Sequence, residues 1–95
     1  MYQVIYQNSA IKDFKKIDKA HKKFLTDTIY EFVNNFSHEY EYELIKTGKI
    51  KKLRGEEEEL YRLKLRSYRV IYKKENDKLI ILVLSVKSRE NSYKK

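Results

Sequence analysis

A β-hairpin is predicted by the stretch Tyr61-Arg62-Leu63-Lys64-Leu65-Arg66-Ser67-Tyr68-Arg69-Val70-Ile71-Tyr72. Apolar and cationic residues alternate through it, as expected for strands whose successive side chains point to opposite faces of a sheet. A tight turn at Arg66-Ser67 would pair Leu65 with Tyr68, and this register fixes the other pairs. One face of the hairpin then carries Tyr61, Leu63, Leu65, Tyr68, Val70 and Tyr72.

The opposite face of this hairpin is cationic. The same register places Lys64 opposite Arg69 and Arg62 opposite Ile71. Like charges that face each other across strands destabilise a sheet by up to about 1 kcal/mol per pair. A bound phosphate would offset this repulsion, so the pattern indicates a platform for a polyanion. The simpler interpretation, a solvated side of an edge hairpin, stays open for Arg62, Lys64 and Arg66.

The length indicates one domain, residues 1–95. Because the sequence includes no cysteine, this domain folds without disulfides or a thiolate metal site. The absence of cysteine fits a reducing compartment. The two histidines, His21 and His38, are too far apart in sequence to predict a metal site. The N-terminus does not read as a signal peptide, and no apolar run is long enough to span a bilayer. We therefore expect a soluble, cytoplasmic protein.

The net charge is +8, from 22 Lys and Arg against 14 Asp and Glu. A small domain with this excess of positive charge commonly binds nucleic acid, an acidic membrane surface or an acidic protein, although the charge also favours solubility. Its distribution favours a partner: acidic residues gather at residues 39–43 and 56–59, whereas the predicted strands of the second half are cationic.

The first half predicts a strand at residues 2–7 and two helices. Asn8 or Ser9 is the expected cap of a short helix, and Asp18 of a longer one. The longer helix shows the strongest periodic signal of the chain, a buried stripe made by Phe24, Leu25, Thr28, Ile29, Phe32, Val33 and Phe36.

The second half predicts an antiparallel meander. Residues 37–54 show no clear period and are predicted as a loop, with at most a helical turn at residues 42–46. Asn76-Asp77 is a suitable turn between strands, and the apolar run from residue 79 to 86 predicts a strand that is either central or shielded by another element. The tail from residue 88 is polar and basic, with a short helix as one option. The fold class is α+β: an N-terminal strand, a helical hairpin and a three-stranded antiparallel meander that completes a four-stranded sheet.

Four segments of the second half carry a family resemblance: Leu53-Arg54-Gly55, Tyr61-Arg62-Leu63-Lys64-Leu65, Tyr68-Arg69-Val70-Ile71-Tyr72 and Ser85-Val86-Lys87-Ser88-Arg89-Glu90. With this order of elements, the chain resembles the RelE/ParE toxin superfamily, and the RelE branch more closely. The resemblance implies a type II toxin that cleaves messenger RNA in the ribosomal A site, without metal or cofactor, and is neutralised by a cognate RelB-like antitoxin. ParE relatives share the fold but act on DNA gyrase and lack the nuclease residues.

The resemblance also implies residue roles. Arg62 and Lys64 match the cationic positions that serve proton transfer and phosphate neutralisation, and Arg69 matches an arginine that supports the transition state. Arg89 matches a further phosphate contact, and Tyr93 the C-terminal tyrosine that orients the substrate nucleotide. The spacing from Arg89 to Tyr93 is tighter than in the RelE pattern, and Ser88 stands where some relatives carry histidine. The neighbouring cations predicted to bind RNA are Lys52, Arg54, Arg66 and Lys87.

The residues themselves are compatible with metal-free RNA cleavage, which needs a base for the 2′-hydroxyl and charge stabilisation at phosphorus. Cationic neighbours favour the neutral amine of a lysine, so Lys64 is the candidate base, with Glu59 as a weaker alternative. Arginine stays charged, so Arg62, Arg69 and Arg89 are expected to clamp phosphate oxygens.

The surroundings of the cationic face leave further alternatives. Tyr40 and Tyr42 are expected to pack in a loop rather than stack on RNA. Ile71, with Leu82 and Leu84 beside it, would give the cationic face an apolar part that suits an antitoxin segment, unless the C-terminal tail covers it. Two other functions stay open for the whole chain: a gyrase poison without nuclease activity and an inactive nucleic-acid-binding relative.

Overall fold

One mixed sheet and three helices make up the part of the chain that the structure describes. The computed structural model describes residues 2–53 and 59–86, and for residues 83–86 the backbone. The elements are β1 (Gln3–Tyr6), α1 (Asn8–Lys15), α2 (Lys19–Asn34), α3 (His38–Thr47), β2 (Ile50–Leu53), β3 (Leu60–Leu65), β4 (Tyr68–Glu75) and β5 (Lys78–Val86). The α+β class is confirmed.

The sheet has five strands in the order β1-β5-β4-β3-β2. β1 pairs with β5 in parallel, and the other neighbours are antiparallel. The prediction of four strands is wrong because β2 lies inside the segment that was expected to be a loop. Of the two options predicted for the apolar strand, the central position is confirmed, since β5 lies between β1 and β4.

The β3–β4 hairpin has the predicted register. Leu65 pairs with Tyr68, Lys64 with Arg69 and Arg62 with Ile71. The apolar residues of this hairpin are buried: Tyr61, Leu63, Leu65, Tyr68, Val70 and Tyr72. Arg66 in the turn has a φ of 57°, a conformation that is uncommon for a residue other than glycine. The Asn76-Asp77 turn joins β4 to β5, also as predicted.

The stripe predicted for the longer helix is buried in α2 at Leu25, Ile29, Phe32 and Val33, but α1 is not capped as expected. Gln7 occupies the N-cap position of α1 without a capping hydrogen bond. The Ser9 hydroxyl instead donates to the carbonyl of Leu82 at 2.6 Å and so ties α1 to β5. For α2 the predicted cap is confirmed, because the Asp18 carboxylate accepts from the backbone N–H of His21 at 3.1 Å.

α3 is the element that the sequence did not predict. Ser37 caps it by accepting from the backbone N–H of Tyr40 at 3.0 Å. Gly48 ends it at a φ of 87°, a left-handed conformation that glycine adopts without steric cost. The inward-facing position of α3 that is most buried is Glu41, a carboxylate at only 4% exposure. The helix was missed because its buried position is charged rather than apolar.

The two faces of the sheet differ. We call the face covered by α2 and α3 the core face; its buried residues and those of α2 form one cluster around Tyr72 and Phe32. We call the other the second face. It carries the alternate strand positions, among them the cationic residues of the β3–β4 hairpin. The candidate site lies there.

Candidate nucleic-acid interface

The second face presents its cations in rows that run across the strands. Lys64 on β3 pairs with Arg69 on β4. The next row along contains Lys51 on β2, Arg62 on β3 and Ile71 on β4, since Arg62 is the register partner of both neighbours. The residues before and after each of these along its strand point to the core face, so these side chains point to the second face. Arg62, Lys64 and Arg69, the predicted catalytic cluster, are therefore brought together.

The electrostatics of this cluster are unfavourable in the free protein. Partial burial, and then the positive charge of Arg62, lower the pKa of the Arg69 guanidinium. The buried Nε of Arg62 has no hydrogen-bond partner among the described residues. Within residues 2–53 and 59–86, no carboxylate forms an ion pair with Arg62, Lys64 or Arg69. Arg69 donates a long bond of 3.5 Å to the carbonyl of Tyr68. An anion placed over the three side chains would relieve both the repulsion and the unsatisfied donor.

A cleft opens at the turn end of the hairpin. It has a volume of about 370 Å³ and is lined by Lys49, Lys64 and Arg66, with Thr47 and Gly48 at its α3 end. The backbone N–H of Lys64 donates to the carbonyl of Lys49 at 2.9 Å, which extends the strand pairing by one residue beyond β2. Three cationic residues thus converge on one concavity next to the predicted cluster.

Two of the residues predicted to bind RNA have partners within the chain. The guanidinium of Arg66 lies over the ring of Phe24 on α2, 4.0 Å from its centroid. Lys52 forms an ion pair with Glu59 at 3.2 Å, and its register partner is the core-face residue Tyr61. Neither residue belongs to the rows of the second face, and their predicted role in RNA binding remains a prediction.

The remaining predicted site residues lie outside the described residues. These are Arg54, Lys87, Arg89 and Tyr93, together with the polar tail. Glu59, the alternative base, is exposed and pairs with Lys52. The two histidines are exposed and lie on different helices, His21 on α2 and His38 on α3. Among the described residues, no three His, Asp or Glu side chains group as metal ligands.

The apolar part of the second face differs from the prediction. A β-bulge between β4 and β5 shifts the register, so Ile71 pairs with Val83 rather than Leu82, and Leu84 pairs with the core-face residue Val70. The expectation that Leu84 flanks Ile71 is therefore wrong, and Leu82 is the extra residue that the bulge inserts. Apolar residues instead share the row of the second face that contains Lys73, at Leu53, Leu60, Ile80 and Ile5.

Sequence reasoning missed two features near the site. The first is Lys51, which lies on a strand within a segment predicted to be a loop; the alternation of Ile50 and Lys51 is the available signal. The second is a buried polar network on the core face. Glu41 accepts hydrogen bonds from the hydroxyl of Tyr72 at 2.6 Å and the ammonium of Lys74 at 2.7 Å. No local pattern predicts contacts between residues this far apart.

Solved structures similar in fold to this chain include bacterial and archaeal RelE proteins. The chain is 28% identical to a protein of the archaeal RelE–RelB complex from Pyrococcus horikoshii OT3, with a TM-score of 0.63 over 93% of this chain and 97% of that one. The isolated E. coli RelE toxin matches in fold, with a TM-score of 0.67, 21% identity and coverage of 98% and 92%. No curated protein matches the chain significantly.

The chain therefore has the fold of these RelE proteins. Residues 4–93 also match the family model described as the ParE toxin of the parDE type II toxin–antitoxin system. The chain belongs to this family of type II toxins. The resemblance inferred from the hairpin and the strand that follows it is confirmed. No helix within residues 2–53 and 59–86 is long and apolar enough to cross a membrane.

Proposed function

We propose that the protein is the toxin of a type II toxin–antitoxin pair and inhibits translation as a metal-independent, ribosome-dependent endoribonuclease of messenger RNA in the cytoplasm. The observation that carries the proposal is the cluster of Arg62, Lys64 and Arg69 on one face, without a carboxylate partner among the described residues and with an unsatisfied Nε. A scissile phosphate is the anion that this cluster suits.

The proposed reaction uses the neighbouring 2′-hydroxyl of the RNA as the nucleophile. Lys64 takes the proton of this hydroxyl, the 2′ oxygen forms a bond to phosphorus, and the bond from phosphorus to the 5′ oxygen breaks. The departing 5′ oxygen takes a proton from solvent water, so the products are a 2′,3′-cyclic phosphate and a 5′-hydroxyl end. Arg62 and Arg69 stabilise the negative charge that develops on the non-bridging oxygens. Arg89 and Tyr93 are proposed to complete the site.

The test is induced expression with transcript ends mapped by primer extension. We expect wild-type protein to arrest growth and to cut translated messenger, and Lys64→Ala and Arg69→Ala to lower cleavage about 10²- to 10³-fold, the usual effect of removing one such group. Lys23→Ala is the matched control, because Lys23 is exposed on α2 and paired with Asp27 at 2.9 Å. Cleavage by either site variant at the wild-type rate would contradict the assignment.

The match to the ParE family model favours a second candidate, a gyrase poison without nuclease activity. The cationic cluster argues against it, since ParE relatives are expected to lack these residues. The same expression experiment separates the two functions: induced DNA damage without transcript cleavage supports the gyrase poison. Growth without arrest would refute both and leave an inactive nucleic-acid-binding relative.

The proposed partner is a cognate RelB-like antitoxin. The relative from Pyrococcus horikoshii was solved as a RelE–RelB complex. The second face combines cations with the apolar side chains of Leu60 and Ile71, a mixture that suits an acidic segment with apolar residues. Co-expression of a small acidic protein encoded beside the toxin should restore growth. Failure of every neighbouring gene to do so would contradict a paired antitoxin.

A further inference from the structure

Lys51 is a cation of the second face that none of the assigned roles uses. It lies on β2 directly opposite Arg62. Its neighbour Ile50 is buried at 1% exposure on the core face, so alternation along the strand places Lys51 on the second face. Lys51 is exposed, and within residues 2–53 and 59–86 it has no ion-pair partner.

The pairing of Lys51 with Arg62 repeats the unfavourable juxtaposition of Lys64 with Arg69. Two like-charged cross-strand pairs in successive rows therefore stand side by side, and each is destabilising on its own. A single phosphate bound between Arg62, Lys64 and Arg69 would not also contact Lys51, because Lys51 lies on β2, on the other side of β3 from Arg69. A second anion beside β2 would offset the charge of Lys51.

The cations reach the free edge of the sheet. β2 is the outermost strand on this side, and the distance from β4 to β2 is two strand spacings, about 10 Å. The cleft lined by Lys49, Lys64 and Arg66 lies at the same edge. A cationic band therefore crosses three strands and ends on β2. A nucleic-acid backbone laid across the strands would follow this band, with one phosphate at the cluster and the next at the edge.

We propose that Lys51 binds the phosphate adjacent to the scissile one, which makes the edge strand β2 a second phosphate subsite for single-stranded RNA. This inference rests on the proposed function, because it takes RNA as the substrate. Lys52 gives a contrast along the same strand: its charge is paired with Glu59 at 3.2 Å, whereas Lys51 has no ion-pair partner in the described part of the chain.

The test measures binding of a short single-stranded RNA whose 2′-hydroxyls are methylated and which therefore cannot be cleaved. Binding is titrated over a series of salt concentrations for wild type, Lys51→Ala and Lys23→Ala. Each phosphate contact in a single strand contributes about 0.7 to the slope of log K against log salt. We expect Lys51→Ala to reduce the slope by this amount for any RNA sequence, and Lys23→Ala, which removes the same charge on α2, to keep the wild-type slope.

A wild-type slope for Lys51→Ala would overturn the subsite. An equal reduction in both variants would also overturn it, because net charge alone would then explain the effect. Cleavage of translated messenger is a separate measurement. If Lys51→Ala shows the expected loss of slope but the wild-type protein leaves translated messenger intact, the nuclease assignment is refuted. The phosphate contact of Lys51 is then supported all the same.

Discussion

Lys74 on the core face and the Arg62–Arg69 pair on the second face differ in how their charges are satisfied. On the core face, the ammonium of Lys74 lies 2.7 Å from the carboxylate of Glu41 and 4.5 Å from the ring centroid of Tyr61. On the second face, Arg62 and Arg69 stand close enough for repulsion, and the Nε of Arg62 has no partner among the described residues. Charges that the fold needs are satisfied within the chain, whereas charges left unsatisfied are available to a ligand.

The strongest test of this comparison sets Glu41→Ala against Arg69→Gln. Truncation of Glu41 leaves Lys74 without its counter-ion and the Tyr72 hydroxyl without its acceptor, so we expect the free energy of unfolding to fall by about 3 kcal/mol. Arg69→Gln removes a cation that Arg62 repels, so we expect an unfolding free energy within about 0.5 kcal/mol of wild type, or above it. Urea denaturation followed by circular dichroism measures both.

The control for this pair is Glu43→Ala on the same helix. Glu43 is exposed, and its contact with Lys46 is 3.6 Å long. Exposed ion pairs contribute at most about 1 kcal/mol. Equal losses for Glu41→Ala and Glu43→Ala would show that the buried network does not hold α3, and a large loss for Arg69→Gln would show that the second face is structural rather than functional.

The second prediction concerns alkaline pH. Burial, and then the hydrogen bond to Glu41, raise the pKa of Tyr72 above its ordinary value. Burial would lower the pKa of Lys74, but the hydrogen bond and charge of Glu41 outweigh it and raise that pKa. Both groups keep their protons in the folded state at a pH where the unfolded chain loses them. The linkage relation then gives an unfolding free energy that falls as pH rises above about 10.

Urea titrations between about pH 8 and pH 11 would measure this decline. Tyr72→Phe removes one of the two groups, so its stability should decline less steeply over the same range. Tyr42→Phe is the matched control, because Tyr42 is an exposed tyrosine on α3. A decline as steep in Tyr72→Phe as in wild type would place the alkaline sensitivity elsewhere.

The comparison of faces also explains how much the sequence could predict. Strand alternation is a local property with a period of two, so the hairpin register and the grouping of Arg62, Lys64 and Arg69 followed from it. α3 was missed because Glu41 occupies the position where an apolar residue would mark a buried stripe. Its partners Tyr72 and Lys74 lie 31 and 33 residues away, and a contact of this range has no signature in sequence.

Turns and bulges limit the prediction in another way. Alternation placed Ile71 beside Leu82, but a bulge between β4 and β5 shifts the pairing by one residue. At Arg66 the strand ends and φ becomes positive, so parity no longer tells which side the side chain takes. The sequence could group the cations of the strands, but not those at the points where strands bend or end.

Arg66 gives the smallest expected effect, and it sharpens the boundary between the two faces. Its guanidinium lies over Phe24 on the core-face side, and exposed cation–π contacts contribute about 0.5–1 kcal/mol. A double-mutant cycle of Phe24→Leu and Arg66→Gln should therefore give a coupling free energy of this size by urea denaturation. A coupling of zero would mean that α2 does not hold Arg66. Arg66 would then count with the cations of the second face, and its truncation should reduce the salt dependence of RNA binding as Lys51→Ala does.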